Sequence, residues 1–285
     1  MKKLLYIVTL FGGVFSLQVN AQNIDIKNIK AHVQPDIDVT TLKEKLEENT
    51  QEHYMPCHAL SRDVDKNISS GDFKNGSYYW KVAGQDFGFR AFLQVEVLPE
   101  FDTLFVLNKY GEKVEYLTTT NLIQEKWTSS VVNDELMLQY KPFNSVLKPQ
   151  VKIRSYSIGV AKRINAIEGF GDSQPCEVNI NCPEGNNYQA EKNSVVRIDV
   201  KIGSAFFWCT GSLVNNTAFD HKPYILTAEH CALHGSNFAT AQDFADWIFY
   251  FQYEGPNCTN PANEGNLANK HISFTITYRN DIVFL

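Results

Sequence analysis

Between Tyr224 and Cys231 the chain reads Tyr-Ile-Leu-Thr-Ala-Glu-His-Cys: an apolar strand ends in Thr227-Ala228, and a histidine follows with a cysteine directly behind it. An imidazole held at a strand end suits the taking and returning of a proton, because that transfer requires fixed reach and orientation. Upstream, Trp208-Cys209-Thr210-Gly211-Ser212-Leu213-Val214 supplies a second cysteine. Downstream, Asp281 stands where the polar turn Tyr278-Arg279-Asn280 runs into Ile282-Val283-Phe284-Leu285. A carboxylate there could accept a hydrogen bond from the ring and hold its tautomer, or it could simply cap the strand. Asp243 and Asp246 also follow the histidine, one loop away. His234 raises a different chemistry, since two histidines four apart share one face of a helix, as metal ligands require. The zinc-helix pattern needs glutamate directly after the first histidine, and here Cys231 follows while Glu229 precedes. His234 therefore reads as a solvent-facing loop residue. No Cys-x-x-Cys pair occurs, which argues against a zinc site.

The run Cys-Thr-Gly-Ser-Leu-Val from Cys209, followed by Leu-Thr-Ala-Glu-His-Cys from Leu226, resembles the histidine region of trypsin-like serine endopeptidases. Its extension through Asn215-Asn216-Thr217 is similar to the secreted bacterial lysyl endopeptidases, and Cys176 to Gly185, a Cys-x5-Cys-Pro-Glu-Gly run, looks like the start of a mature enzyme of that branch. The resemblance implies His230 as general base, Asp281 as its partner and a serine nucleophile. It also implies disulfides Cys209–Cys231 and Cys182–Cys258. It gives Cys176 a partner farther downstream, while Cys57 falls outside the matched region. Protein or peptide substrates are implied, with a cut after lysine as the family expectation and no metal or organic cofactor. Gly171-Asp172-Ser173 is similar to a nucleophile motif, but Ser173 precedes the histidine, and Gln174-Pro175 replaces the following glycines whose amides would form an oxyanion hole. Ser173 reads as linker. The nucleophile and second barrel are expected beyond Leu285, so the 285-residue chain reads as an inactive, C-terminally truncated fragment of a protease. The alternative is a non-catalytic secreted binding or inhibitory protein built on a β-sandwich and a protease-like barrel.

What must position these residues follows from the rest of the chain. Lys2-Lys3, an apolar run from Leu4 to Phe15 and Val19-Asn20-Ala21 make a secretory signal, with cleavage after Ala21, too short to span a bilayer. Export makes the six cysteines candidates for disulfides, and five of them lie after residue 175. The net charge of −6 provides no footprint for nucleic acid, and no later stretch is apolar enough for a membrane.

Residues 22–70 are polar, and we read them as a leader segment lying on the next domain, with a short helix over 41–48 opened by a Thr-x-x-Glu capping box. Residues 71–165 carry strand-length aromatic and β-branched runs at 77–82, 90–97, 103–108, 114–117, 136–140 and 151–158, which predict a β-sandwich. This region resembles the pro-regions of secreted trypsin-like proteases and is expected to pack on the protease domain. Processing is expected near Phe170 or Gly171. From 171 to 285, strands at 195–202, 206–214, 224–228, 247–252, 272–278 and 281–285 predict the first six-stranded barrel of a double-barrel fold. The fold class is all-β.

Overall fold

Runs of β-branched and aromatic residues alternating with polar ones dictate strands, because alternate side chains leave opposite faces of a pleated backbone. A computed structural model describes residues 32–34, 39–53, 55, 57–82, 90–107, 111, 113–120, 125–128, 135–143, 147–159, 176–215, 217, 223–255, 257–258 and 282–284. The signal segment 1–21, the junction with Phe170, Gly171 and Ser173, the strand expected at 272–278 and Asp281 lie outside the described residues.

The first half holds β1 (His32–Gln34), α1 (Val39–His53), β2 (Cys57–Ile68), β3 (Ser77–Val82), β4 (Ala91–Val97), β5 (Thr103–Leu107), β6 (Lys113–Leu117), β7 (Glu125–Trp127), β8 (Glu135–Lys141) and β9 (Gln150–Gly159). The second half holds β10 (Val195–Ile202), β11 (Ala205–Val214), β12 (Tyr224–Thr227), β13 (Leu233–His234), β14 (Asn237–Phe238), α2 (Ala241–Ala245), β15 (Ile248–Phe251) and β16 (Ile282–Phe284). The class is all-β, with two α-helices and a few short 3-10 turns among the described residues.

A five-stranded sheet runs β1-β3-β8-β5-β6. A larger sheet runs β15-β10-β11-β2-β9-β4-β7, with β12 on β11 and β16 on β12. The two sheets share one apolar core, in which the ring of Trp80 on β3 meets Tyr156 on β9 edge-on at 5.2 Å. Helix α1 lays Leu42 and Leu46, four apart on one face, into that core. It begins at Val39, so Thr41 lies in the first turn rather than ahead of it as the capping-box reading expects.

The expected leader departs most from the structure. Residues 57–68 form β2, a strand with neighbours on both sides, between β11 and β9. β11 explains this placement. On one edge it pairs with β10 over its length, but on the other β12 reaches only Gly211 to Val214. The backbone of Ala205 to Phe207 is thus left open on that edge, and an open edge demands a partner. β2 fills it, pairing Leu60 with Ala205 and Ala59 with Phe206. Strands from the N-terminal and C-terminal halves consequently form one continuous sheet.

Candidate functional site

β12 ends at Thr227, and the chain enters a short 3-10 turn, Glu229–Ala232, closed by the Cys231 amide donating to the Ala228 carbonyl at 3.1 Å. Within the turn Glu229 and His230 are exposed, while Cys231 and Ala232 are buried. Cys231 is joined to Cys209 on β11 by a disulfide with Cα atoms 6.1 Å apart. Thr227 adds a second tie: its hydroxyl donates to the Thr210 carbonyl at 2.8 Å and lies 3.3 Å from Cys231 Sγ. Below the turn, Gly211 pairs with Thr227 across β11 and β12. The outcome is an imidazole on the surface, on a turn whose neighbouring residue is fixed to the adjacent strand.

A second disulfide, Cys182–Cys258, ties the segment before β10 to the segment after β15. These are the two pairs that the resemblance implies. Cys57 is buried and Cys176 exposed, and neither takes part in these two disulfides. Cys209 Sγ, Cys231 Sγ and a His230 ring nitrogen lie within 4.8 Å of one another. With the sulfurs bonded to each other neither is a thiolate, and a disulfide is no ligand set for zinc.

Asp281, the expected partner of His230, lies outside the described residues. The strand that follows it is parallel to β12, with Ile282 opposite Ile225 and Phe284 opposite Thr227. β16 therefore starts toward the Tyr224 end of β12, whereas the His230 turn leaves from the Thr227 end.

The weaker acidic candidates are bound into structure. Asp243 closes a capping box on α2, accepting from the Thr240 amide and hydroxyl at 2.9 and 2.7 Å. Its other oxygen accepts from Lys201 at 3.2 Å and from the Gly203 amide at 3.1 Å. Burial pushes its carboxyl up, but the Thr240 bonds and Lys201 outweigh this and hold it below the usual range. Asp246 is buried 3.4 Å from the same Lys201, and there burial wins, leaving its carboxyl raised. His234 is not a solvent-facing loop residue: it is half-buried on β13, its ring edge-on to Phe207 at 6.0 Å. His230 and His234 share no helix face, being on a turn and a strand.

The polar face of β10 holds a cluster that the sequence reading does not anticipate. Arg197, Asp199 and Lys201 alternate along one face of the strand, a pattern that reads as solvated. The N-terminal half covers it instead. Asp199 is 1% exposed; its Oδ1 lies 3.0 Å from His58 Nε2 and its Oδ2 3.4 Å from Arg90 Nη1. Arg90, 2% exposed, also donates from Nε to the Thr128 carbonyl at 2.8 Å and from Nη2 to the Asp246 carbonyl at 2.6 Å. Its guanidinium thus joins three segments at once. His58 stacks on Trp208 with ring centroids 4.0 Å apart.

A bulge aims His58 at this cluster. On β11, Phe206 and Phe207 are consecutive, but their partners on β2 are Ala59 and Cys57, so His58 is the extra residue. Gly159, opposite Ala59, passes so close that a Cβ there would lie 2.5 Å from the His58 carbonyl oxygen. The only signals in sequence were the unexplained charge alternation on β10 and a glycine ending β9.

Residues 170–282, which hold the His230 turn, both disulfides and β10 to β15, match the family model described as lysyl endopeptidase, C-terminal domain, and this match relates the C-terminal part of the chain to a family of proteases.

Proposed function

We propose that the chain belongs to a secreted serine endopeptidase, in which residues 1–21 direct export and residues 171–285 build the first barrel. The observation that carries the reading is the family match over the segment in which a disulfide-tied turn presents the exposed His230. His230 acts as general base, taking the proton of a serine hydroxyl as it attacks a peptide carbonyl and returning it to the leaving amine. Asp281 holds the imidazole tautomer and stabilises the charged ring. Because the order in trypsin-like enzymes is histidine, aspartate, serine, the nucleophile is assigned to a position after Asp281, and Ser173 to the linker. The N-terminal β-rich segment is a pro-region that is cut from the mature enzyme near Phe170 or Gly171. The substrates are proteins or peptides, cut after lysine.

Turnover of a lysyl anilide by the protein translated from the complete reading frame tests the proposal. A fluorophosphonate should label one serine downstream of Asp281, and His230→Ala should lower kcat by about 10⁴- to 10⁶-fold. An active His230→Ala protein, or labelling at Ser173, would overturn it.

One observation favours a second reading, a non-catalytic secreted binding or inhibitory protein. The parallel pairing of β16 with β12 brings the start of β16 to the end of β12 remote from His230. A complete protein that bound no fluorophosphonate but captured proteases or surface ligands would support this reading.

A further inference from the structure

The cluster between the two halves of the chain has a feature that mere burial of charge does not require: a histidine on a strand bulge bonded directly to a buried carboxylate. A fixed ion pair of Arg90 and Asp199 would suffice to hold the halves together at neutral and alkaline pH. His58 adds a group whose charge changes near neutrality. We propose that the seam is a proton-operated latch, in which protonation of His58 tightens β2 against β10 and β11, and loss of that proton at alkaline pH loosens it.

Among the described residues, the charged groups nearest His58 come from β10 and from the segment ahead of β4. Asp199 on β10 is its direct partner at 3.0 Å. Arg90, ahead of β4, lies 3.4 Å from the other oxygen of Asp199. Arg197 on β10 also acts on Asp199, but its guanidinium lies over the rings of Trp208 and Tyr253, 3.6 and 4.3 Å from their centroids. Beyond Arg90, Asp246 and Asp243 share Lys201. Burial and the two arginines oppose a charge on His58. The carboxylate in hydrogen-bond contact and the stacked face of Trp208 favour it, and a direct charge-assisted bond in a dry site outweighs a cation whose charge is already divided among Asp199 and two carbonyls.

The sign follows from linkage. A histidine that gains an anionic partner on folding binds its proton more tightly in the closed seam than in the open one. Its contribution is complete below the open-state value, about 6.5, and is lost as pH rises through the higher closed-state value. Asp199 does not counter this near neutrality. Burial would raise its carboxyl, but Arg90 and then His58 outweigh burial and hold it below the usual range. It stays charged wherever His58 titrates.

The ring of His58 in the full chain, followed by NMR from pH 5 to 9, should titrate with a midpoint above about 6.5; a midpoint at or below that value overturns the latch. The seam itself can be read at the Ser61 amide, which donates across it to the Ser204 carbonyl at 2.6 Å. Between about 6.5 and the His58 midpoint the exchange rate of that amide, divided by its intrinsic rate, should rise by up to tenfold per pH unit and then level off above the midpoint. His58→Gln keeps an N–H donor without the titration and should flatten that rise. An equally steep rise in the variant, or none in the unsubstituted chain, rejects the proposal. If the variant does not fold, the titration of the native ring decides alone.

Discussion

Gly211 on β11 faces Thr227 on β12, and a Cβ at position 211 would lie 2.9 Å from the Leu226 carbonyl oxygen, 3.0 Å from Ile225 Cγ2 and 3.1 Å from Ile198 Cδ1. Backbone on one side and two β-branched core residues on the other leave nowhere for a methyl group to go. Thr227 is the last residue of β12 before the His230 turn, so this close approach sets the position from which the imidazole is presented. Gly211→Ala should destabilise the chain by about 1–3 kcal/mol through overpacking. Urea unfolding with an unchanged slope and a lowered midpoint is the expected result.

The disulfides should differ in weight because they close different lengths of chain. Cys209 and Cys231 are 22 residues apart, and Cys182 and Cys258 are 76 apart. The entropy of loop closure in the unfolded chain then assigns about 3 kcal/mol to the shorter bridge and about 4.5 kcal/mol to the longer. Replacing each pair by alanines and comparing unfolding midpoints checks the order. The shorter bridge carries the functional weight: its loss frees the residue next to His230.

Much of this architecture was legible in the sequence, and the reason it was not all legible is physical. Strands expected at 195–202, 206–214, 224–228 and 247–252 are found at 195–202, 205–214, 224–227 and 248–251, because each is a run of β-branched or aromatic residues ended by turn residues. In β2, Ser61 to Asn67 is exposed or half-buried, and only its ends are buried, so its sequence looks like leader. Nothing in its composition reports that the edge of β11 needs a partner. The cluster on β10 fails for a related reason. Alternation shows that Arg197, Asp199 and Lys201 share a face but cannot say whether water or another part of the chain covers it. Only the long-range pairing of β2 with β11 answers that.

Arg90 should be among the least replaceable side chains in the molecule. Arg90→Met would leave Asp199 without its closest guanidinium and two buried carbonyls, those of Thr128 and Asp246, without the donors they now have. Breaking a buried pair by removing one partner costs about 3–5 kcal/mol. The variant should also change its response to acid. Asp199, held below the usual range, contributes stability above the unfolded value of about 3.9 that is lost as pH falls further. Without Arg90 that contribution shrinks, so unfolding on the acid limb should begin at a higher pH. Circular dichroism of both proteins from pH 2 to 6 measures the difference.

Asp102 holds the turn between β4 and β5 to the end of β8. It accepts from the Tyr140 hydroxyl and, through Oδ1, from the Phe143 amide at 2.7 Å. Burial first, and then the bond to Asp102, pushes the Tyr140 phenol well above its ordinary value. Asp102→Ala would leave a buried hydroxyl unpaired, at a cost of about 1–3 kcal/mol. Tyr140→Phe should cost less, because it removes the hydroxyl whose pairing is at stake and leaves Asp102 its bond to the Phe143 amide. Thermal unfolding of the two variants should rank them in that order.

Whether Asp281 serves His230 comes down to the pairing of β16. In the parallel arrangement with β12, the start of β16 lies beside Ile225, and each residue of strand from there to Thr227 adds about 3.3 Å. An antiparallel pairing of the same strand would instead bring its start to the Thr227 end, beside the turn that bears the imidazole. The proposed endopeptidase requires that second arrangement in the complete protein. Asp281→Asn should then lower kcat by about 10⁴-fold through the wrong imidazole tautomer while leaving the unfolding midpoint within about 0.5 kcal/mol of the parent. A cysteine pair placed at 227 and 282 separates the arrangements independently of activity. It should close under oxidation if the strands are antiparallel and stay open if Ile282 remains opposite Ile225. Full turnover in Asp281→Asn together with an open pair would remove the aspartate from the mechanism and leave His230 without its orienting partner.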